Sequence, residues 1–195
     1  MTDLFDTPHL LIEQPGKLLP TRAVYRILDA GGKPLAVVNE ADEHTRLVVL
    51  KGMRAGSRQP GTRVLTVATA AAQDEPVLVL TTLPDGRNSE VRRPDGELVG
   101  RIQALRTTRH LRLLDDHDRP LGDVTGDLSL RRFTVAAPGG DRLAVLTKTW
   151  AGLVKELLTP SDHYRLEFAG DPAPTVRVLA TLSAIVIDIT LHGPV

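Results

Sequence analysis

The sequence contains no cysteine. This absence excludes disulfides, thiolate metal sites, cysteine nucleophiles and palmitoylation, and it fits a reducing compartment. The first residues, Met-Thr-Asp-Leu-Phe-Asp, carry acidic side chains where a secretory signal has basic ones, and no apolar segment follows them. We therefore expect a cytoplasmic protein.

The chain has no excess of either charge. Lys plus Arg and Asp plus Glu both number 24, so the formal net charge is zero. Proteins that bind nucleic acid usually show a basic excess, and we expect no nucleic-acid partner. A net charge of zero is still compatible with local basic patches, because net charge does not describe how charges are distributed.

Recognisable catalytic motifs are also absent. There is no Gly-x-Ser-x-Gly, no phosphate-binding loop, no GxGxxG and no HExxH. The densest cluster of acids and histidine, Asp115-Asp116-His117-Asp118, lies where a hairpin turn is predicted, so solvated turn residues are favoured over a metal or acid–base site. We expect a protein that is not an enzyme and that has no cofactor.

Most of the sequence consists of short apolar segments separated by turn residues, which is typical of β-hairpins. Four hairpins share one pattern, in which an aliphatic residue after the turn is followed by Ala or Gly. These small residues are Ala36, Gly100, Gly122 and Ala144, and the last three lie 22 residues apart. Many such hairpins in one sheet predict a closed barrel or a sandwich.

Two segments interrupt this pattern. Residues 54–62 have the composition of a loop, and residues 68–76 are compatible with a helical turn that Pro76 ends. No low-complexity linker divides the chain. We therefore expect a single domain over residues 1–195, with residues 1–9 as a flexible tail.

The most apolar segment lies near the C-terminus, at residues 178–191. Its uncharged part ends at Asp188 and is shorter than the roughly 20 residues that a membrane-spanning helix needs. A buried element is therefore favoured over an anchor. Its β-branched residues favour a strand, whereas apolar residues on every side favour a helix surrounded by protein, so both readings stay open with helix slightly ahead.

The last third of the sequence contains the most specific pattern in the chain. Its residues are Trp150, Gly152, Glu156-Leu157, Thr159, Asp162, Tyr164, Leu166, Phe168 and Ile187-Asp188. In this order they resemble the tubby-like superfamily, in its branch of phospholipid scramblases and LURP-one-related proteins. The resemblance extends from about residue 10 to the end and is weakest between 45 and 90.

This resemblance implies a mainly β (α+β) fold, a closed antiparallel barrel of about twelve strands around a central C-terminal helix, in which the helix fills a barrel too wide for its own side chains. It also implies a non-enzymatic binding module that associates peripherally with anionic phospholipids. Two alternatives are phospholipid scrambling at a membrane and a cytosolic scaffold or regulator that binds a protein partner.

The calcium loop proposed for scramblases corresponds to residues 162–171. Here its acids are only Asp162, Glu167 and Asp171, and Arg165 stands among them. Calcium takes about six to eight oxygen ligands, largely anionic, so we expect no calcium site.

Some tubby-like relatives bind phosphoinositides, which makes the basic residues candidates for contacts with anionic lipid. These candidates are Arg106, Arg109, Arg112, Arg131 and Arg132. The simpler interpretation, which we favour, is an outer barrel surface whose arginines pair with Asp and Glu. Trp150 is expected to pack against the helix or a strand rather than to anchor the protein in a membrane.

Overall fold

The computed structural model describes residues 5–14, 23–52, 61–84, 86–105, 109–150 and 162–192. Twelve strands and two helices are assigned within these ranges. In chain order they are β1 (His9–Glu13), β2 (Ala23–Asp29), β3 (Pro34–Glu40), α1 (Glu43–Gly52), β4 (Arg63–Thr69), β5 (Ala72–Thr82), β6 (Asn88–Arg92), β7 (Leu98–Ala104), β8 (His110–Leu114), β9 (Pro120–Gly126), β10 (Arg132–Ala136), β11 (Arg142–Trp150), β12 (Asp162–Phe168) and α2 (Pro174–His192).

The strands form a closed antiparallel barrel, as predicted. Each strand pairs with its neighbours in sequence, and β1 closes the sheet by pairing with β12. Side chains alternate between the lumen and the outer surface. In β8, for example, Leu111 and Leu113 are buried inside while His110 and Arg112 face outward. This strand begins at His110.

Helix α2 occupies the lumen, which resolves the apolar segment as a helix. Leu182 and Ile185 are fully buried, and Val178 and Val186 are nearly so. Ile189 was expected to be buried as well, but it is only partly covered because α2 approaches the end of the barrel there. Among the described residues, no helix combines the length and apolarity that crossing a bilayer requires.

The barrel has two different ends. The short-turn end contains the strand connections at 30–33, 70–71, 93–97, 115–119 and 137–141 and the start of α2. The long-loop end contains the described connection residues 14, 41–42, 61–62, 83–84, 86–87, 105, 109 and 127–131 and the C-terminal part of α2. Because the strands are antiparallel and consecutive, every second connection falls at the same end.

Four connections at the short-turn end have the same geometry. In the first, the Asp29 N–H donates to the Lys33 carbonyl and the Gly32 N–H donates to the Asp29 carbonyl, both at 3.0 Å. This is a turn that ends in a left-handed residue, a common three-residue hairpin loop. The left-handed residues of the four turns are Gly32, Gly96, Asp118 and Gly140.

A β-bulge follows each of these turns. Residues Leu35, Val99, Leu121 and Leu143 have no opposing residue on the preceding strand. Each of these aliphatic residues packs partly against the core, and the next residue is the small one of the repeat. The sequence repeat therefore encodes one structural unit, a turn, a bulge and a position close to the neighbouring backbone.

The small residues are required by close approach. A Cβ at Gly100 would lie 2.5 Å from the Leu114 carbonyl oxygen and 2.8 Å from Cδ1 of Leu179 on α2. A Cβ at Gly122 would lie 2.6 Å from the Ala136 carbonyl oxygen. Larger residues here would displace a neighbouring strand or the helix.

Three segments differ from the sequence-based expectations. Residues 68–76 are not a helical turn but the hairpin between β4 and β5. Helix α1 was not anticipated, and it begins where the Thr45 N–H donates to Asp42 Oδ1 at 2.7 Å. The expected tail is in part packed against the barrel, because Phe5 is buried in the core and β1 begins at His9. Most of the loop predicted at 54–62 lies outside the described residues.

Candidate functional site

Several arginines on the outer wall of the barrel are paired with acids. Arg112 Nε lies 2.9 Å from Oδ1 of Asp123, directly across β8 and β9. This hydrogen bond, together with the charge of Asp123, raises the pKa of the Arg112 guanidinium. Arg101 contacts both Glu90 and Asp118. The expectation of a neutralised outer surface is therefore confirmed for Arg112.

The long-loop end carries a different set of arginines. Arg87, Arg109 and Arg131 recur every 22 residues and occupy the same position in the connections β5–β6, β7–β8 and β9–β10. Each carbonyl oxygen accepts a backbone hydrogen bond of 2.7 Å from the strand beside it; the donors are Ala104, Gly126 and Lys148. We call these three residues the arginine arc.

The spacing of the arginine arc follows from the sheet. Neighbouring strands lie about 4.8 Å apart, so equivalent positions in successive hairpins are separated by about 10 Å. All three side chains are exposed, and so is Arg132, the first residue of β10. Three turns thus present guanidinium groups along about 20 Å of the barrel rim.

Two of the predicted lipid-contact residues belong to this arc, Arg109 and Arg131, and Arg132 lies next to it. Arg112 lies farther along the wall in its ion pair, and Arg106 is outside the described residues. Arg87 was missed by the sequence analysis. The 22-residue spacing already noted for the small residues would have identified it.

Asp127 is the acid of the β9–β10 turn, and its carboxylate is engaged within that turn. Oδ1 accepts the Arg131 N–H at 3.0 Å, and both oxygens accept the Ser129 hydroxyl. Desolvation acts to raise the pKa of Asp127, but these hydrogen bonds outweigh it and hold the pKa below its ordinary value. The sequence also places Asp85 in the β5–β6 connection, outside the described residues.

The lumen at the long-loop end contains a buried carboxylate. Tyr25 donates to Oδ2 of Asp188 at 2.8 Å, and Tyr164 donates to Oδ1 at 3.2 Å. Burial, followed by the charge of Asp188, strongly raises the pKa of the Tyr25 hydroxyl. The Lys148 ammonium lies 5.8 Å from the centroid of the Tyr164 ring. The two tyrosine hydroxyls thus provide hydrogen bonds to the buried carboxylate of α2 that belongs to the Ile187-Asp188 motif.

The lumen at the short-turn end contains a buried cation instead. Arg177 is 7% exposed, and its guanidinium carbon lies 4.6 Å from the centroid of the Phe168 ring. Its nitrogens donate to the carbonyl oxygens of Pro172, Phe5 and Thr7 and to Asp171 Oδ1, at 3.0–3.2 Å.

Two of the cavities on the described surface lie near features discussed above. One, of about 580 Å³, lies at the long-loop end between Arg46, the Glu40–Arg63 ion pair and Thr190 of α2. The other, of about 440 Å³, is a mainly apolar groove between α1 and the wall, lined by Val48, Val49 and Val79 among others.

The cluster of acids and histidine at residues 115–118 lies in the β8–β9 turn. Asp115, Asp116 and His117 lie close together, but Asp115 accepts the backbone N–H groups of His117 and Arg119 and the Arg119 side chain. These residues form the β8–β9 turn, as predicted. Of the three acids in residues 162–171, Asp162 and Glu167 lie in β12 and Asp171 follows it. Glu167 pairs with Arg165, and Asp171 pairs with Arg177.

Comparison with known proteins supports the resemblance. The sequence model of the Scramblase family matches residues 84–193, more than half of the chain. The X-ray structure of a protein from Arabidopsis thaliana covers 94% of this chain and 93% of its own, with a TM-score of 0.53 and 16% identity, and so has the same fold. No curated protein matches the sequence.

A domain from Vibrio parahaemolyticus, described as an outer membrane lipoprotein-sorting protein domain, covers 91% of this chain and 90% of its own at 9% identity. Its TM-score of 0.25 is too low to indicate a common fold.

Proposed function

This chain belongs to the Scramblase family, and we propose that it is a non-enzymatic binding module that attaches to the surface of anionic phospholipid membranes. The observation that carries the proposal is the arginine arc, three exposed guanidinium groups at equivalent positions on neighbouring turns. We propose a cytoplasmic protein that is peripheral to the membrane.

Guanidinium groups suit this role because each can bind phosphate oxygens through two parallel N–H bonds. A basic residue near an anionic bilayer contributes about 1 kcal/mol of attraction. Three of them contribute up to about 3 kcal/mol, which corresponds to roughly a hundredfold in affinity. This is sufficient for reversible attachment without an inserted helix.

The outer wall is less suited to the same role, because its arginines Arg101 and Arg112 are half-buried. The three arginines of the arginine arc are exposed and share one rim of the barrel. The long-loop end is therefore favoured over the wall.

Flotation of the purified protein with vesicles tests the proposal. We expect it to float with phosphatidylcholine vesicles that contain phosphatidylserine and not with phosphatidylcholine alone. Binding should weaken as salt shortens the Debye length from about 10 Å at 0.1 M to about 3 Å at 1 M. Equal binding to both vesicle types, or binding that salt leaves unchanged, would contradict an arginine-based attachment.

Phospholipid scrambling is the second candidate, and the Scramblase family match favours it. Reconstituted vesicles with fluorescent lipid distinguish the two functions, since dithionite quenches only the outer leaflet unless lipids are exchanged. Quenching beyond the outer leaflet would support scrambling. Surface attachment alone predicts quenching equal to that of protein-free vesicles.

Binding of a protein partner is the third candidate, and the apolar groove beside α1 favours it, with Leu47 and Val48 half exposed next to it. Absence of flotation with every anionic vesicle tested would place this function ahead of the membrane proposal.

A further inference from the structure

The most exposed large apolar side chain among the described residues is Leu128, at 87%. It lies in the β9–β10 turn at the long-loop end, three residues before Arg131 of the arginine arc. The other exposed large apolar residues, Leu47 and Val48, belong to α1 and are 49% and 54% exposed. A single exposed leucine needs no explanation by itself. Its place beside the arginine arc makes it informative.

The turn is built to hold Leu128 outward. Asp127 Oδ1 accepts the Arg131 N–H, and the Leu130 N–H donates back to the Asp127 carbonyl at 3.2 Å. Leu130 adopts a left-handed backbone with φ 55°, rare for a residue other than glycine, and its side chain packs against the core. One leucine of the turn therefore anchors it to the barrel, while the other projects from it.

An apolar side chain that projects among basic ones matches the layers of an anionic bilayer. Guanidinium groups remain at the level of the phosphates, whereas an apolar tip reaches the boundary of the acyl chains. Leu128 and the arginine arc lie at the same end of the barrel, so both can meet the same flat surface. The apolar residues of α1 lie beside the wall, where the groove extends to Pro94 and Gly96 of the short-turn end.

We infer that the barrel docks end-on, with its long-loop end against an anionic bilayer and the Leu128 side chain inserted into the interface. This inference rests on the proposed function, and it adds the orientation and the inserted residue. The competing orientation is side-on, with α1 against the membrane and Leu47 inserted.

The absence of cysteine allows a direct test, because one introduced cysteine is the only labelling site. Leu128→Cys and, as the matched control, Leu47→Cys are labelled with an environment-sensitive nitrobenzoxadiazole dye. With phosphatidylserine-containing vesicles, we expect the emission at position 128 to rise and shift to shorter wavelength, and lipids quenching near the interface to reduce it. Position 47 should stay as in buffer.

A response at position 47 and none at 128 would overturn the end-on orientation in favour of the side-on one. Flotation of the unlabelled protein without a response at either position would overturn the insertion while leaving the proposed function intact. If the unlabelled protein does not float, the proposed function fails and this docking fails with it.

Unlabelled variants provide a second measurement. Leu128→Ala should weaken binding to anionic vesicles by about tenfold, because most of the apolar area that inserts is lost. Leu47→Ala should change it by less than about twofold. Both side chains are exposed, so the melting temperatures should match that of the parent protein. Equal effects of the two substitutions would contradict the inference.

Discussion

The two ends of the barrel are built from the same strands and yet differ in chemistry. At the short-turn end one turn geometry occurs four times, and Arg93 and Arg119 pair with acids in their own turns. At the long-loop end three turns repeat an exposed arginine, and the β9–β10 turn also projects Leu128. The two ends therefore present different side chains, and the membrane proposal assigns binding to the long-loop end.

Inside the barrel, the two ends of helix α2 also differ, in the charge of their buried side chains. Its buried cation, Arg177, lies in the first turns and its buried anion, Asp188, in the last turns. Both placements oppose the helix macrodipole, which favours anions at the start and cations at the end. Carbonyl oxygens around Arg177 and two tyrosine hydroxyls around Asp188 compensate. Both charged residues lie where α2 reaches the two ends of the lumen.

The largest effect on stability is expected from a substitution in α2, inside the closed lumen between the two ends. Ile185→Asp should prevent folding, because an unpaired charge in this closed apolar lumen costs several kcal/mol, comparable to the stability of a domain. Circular dichroism and thermal melting measure the outcome. Ile185→Val is the matched control and should cost about 0.5–1.5 kcal/mol. An unchanged melting temperature in Ile185→Asp would show that α2 is not the core of the barrel.

At the long-loop end, Tyr25→Phe removes one of the two donors to the buried Asp188 carboxylate. We expect a loss of about 1.5–3 kcal/mol in the free energy of unfolding, measured by urea denaturation. Burial raises the folded pKa of Tyr25, so its contribution is complete below the ordinary tyrosine pKa of about 10 and is lost at higher pH. The variant should therefore lose less stability than the parent protein above this pH, and an equal loss would contradict the role of this hydroxyl.

At the short-turn end, Gly100→Ala tests the close approach of strands and helix. The new Cβ would lie 2.5 Å from a backbone oxygen, and we expect a loss of about 1–3 kcal/mol in unfolding free energy. Gly139→Ala provides the control, since no heavy atom would lie within 4 Å of its Cβ outside the chain neighbours. Equal melting temperatures for the two variants would refute the packing argument.

The smallest effect concerns the turn carboxylates, one at each end. Desolvation acts to raise the pKa of Asp115 and Asp127, yet hydrogen bonds within their turns leave both pKa values lowered. A carboxyl group whose pKa is lower in the folded than in the unfolded protein stabilises the fold when it is ionised. This contribution is present above about pH 4 and is lost as the pH falls below it. Melting temperatures of Asp115→Asn and Asp127→Asn between about pH 5 and pH 3 should depend on pH less than those of the parent protein.

Much of this structure follows from local sequence patterns. The turns at Gly32, Gly96 and Gly140 need a left-handed residue, and glycine marks it in the sequence. The burial of residues 178–191 follows from their apolarity on all sides. Helix α1 was missed because its apolar residues lie largely exposed on the outside, which leaves no strong periodicity.

The candidate site was predicted less completely. Arg109 and Arg131 were identified by local clustering of charge, as was Arg112, which turned out to pair with Asp123. Whether an outward arginine faces an acid depends on the register of the next strand, and a single sequence does not fix it. Arg87 stands alone among its neighbours and becomes part of a surface only when the barrel aligns three turns.

If the two ends differ in their affinity for anionic membranes, removing the same number of positive charges from either end should have different effects on binding. This comparison is the most direct test. One variant carries Arg→Gln at the arginine arc, and its control carries Arg→Gln at Arg93, Arg119 and Arg142 of the short-turn end, so both lose three positive charges. Flotation with phosphatidylserine-containing vesicles should weaken up to about a hundredfold in the first and by less than about twofold in the second. Equal weakening in both, or greater weakening in the control, would contradict the account.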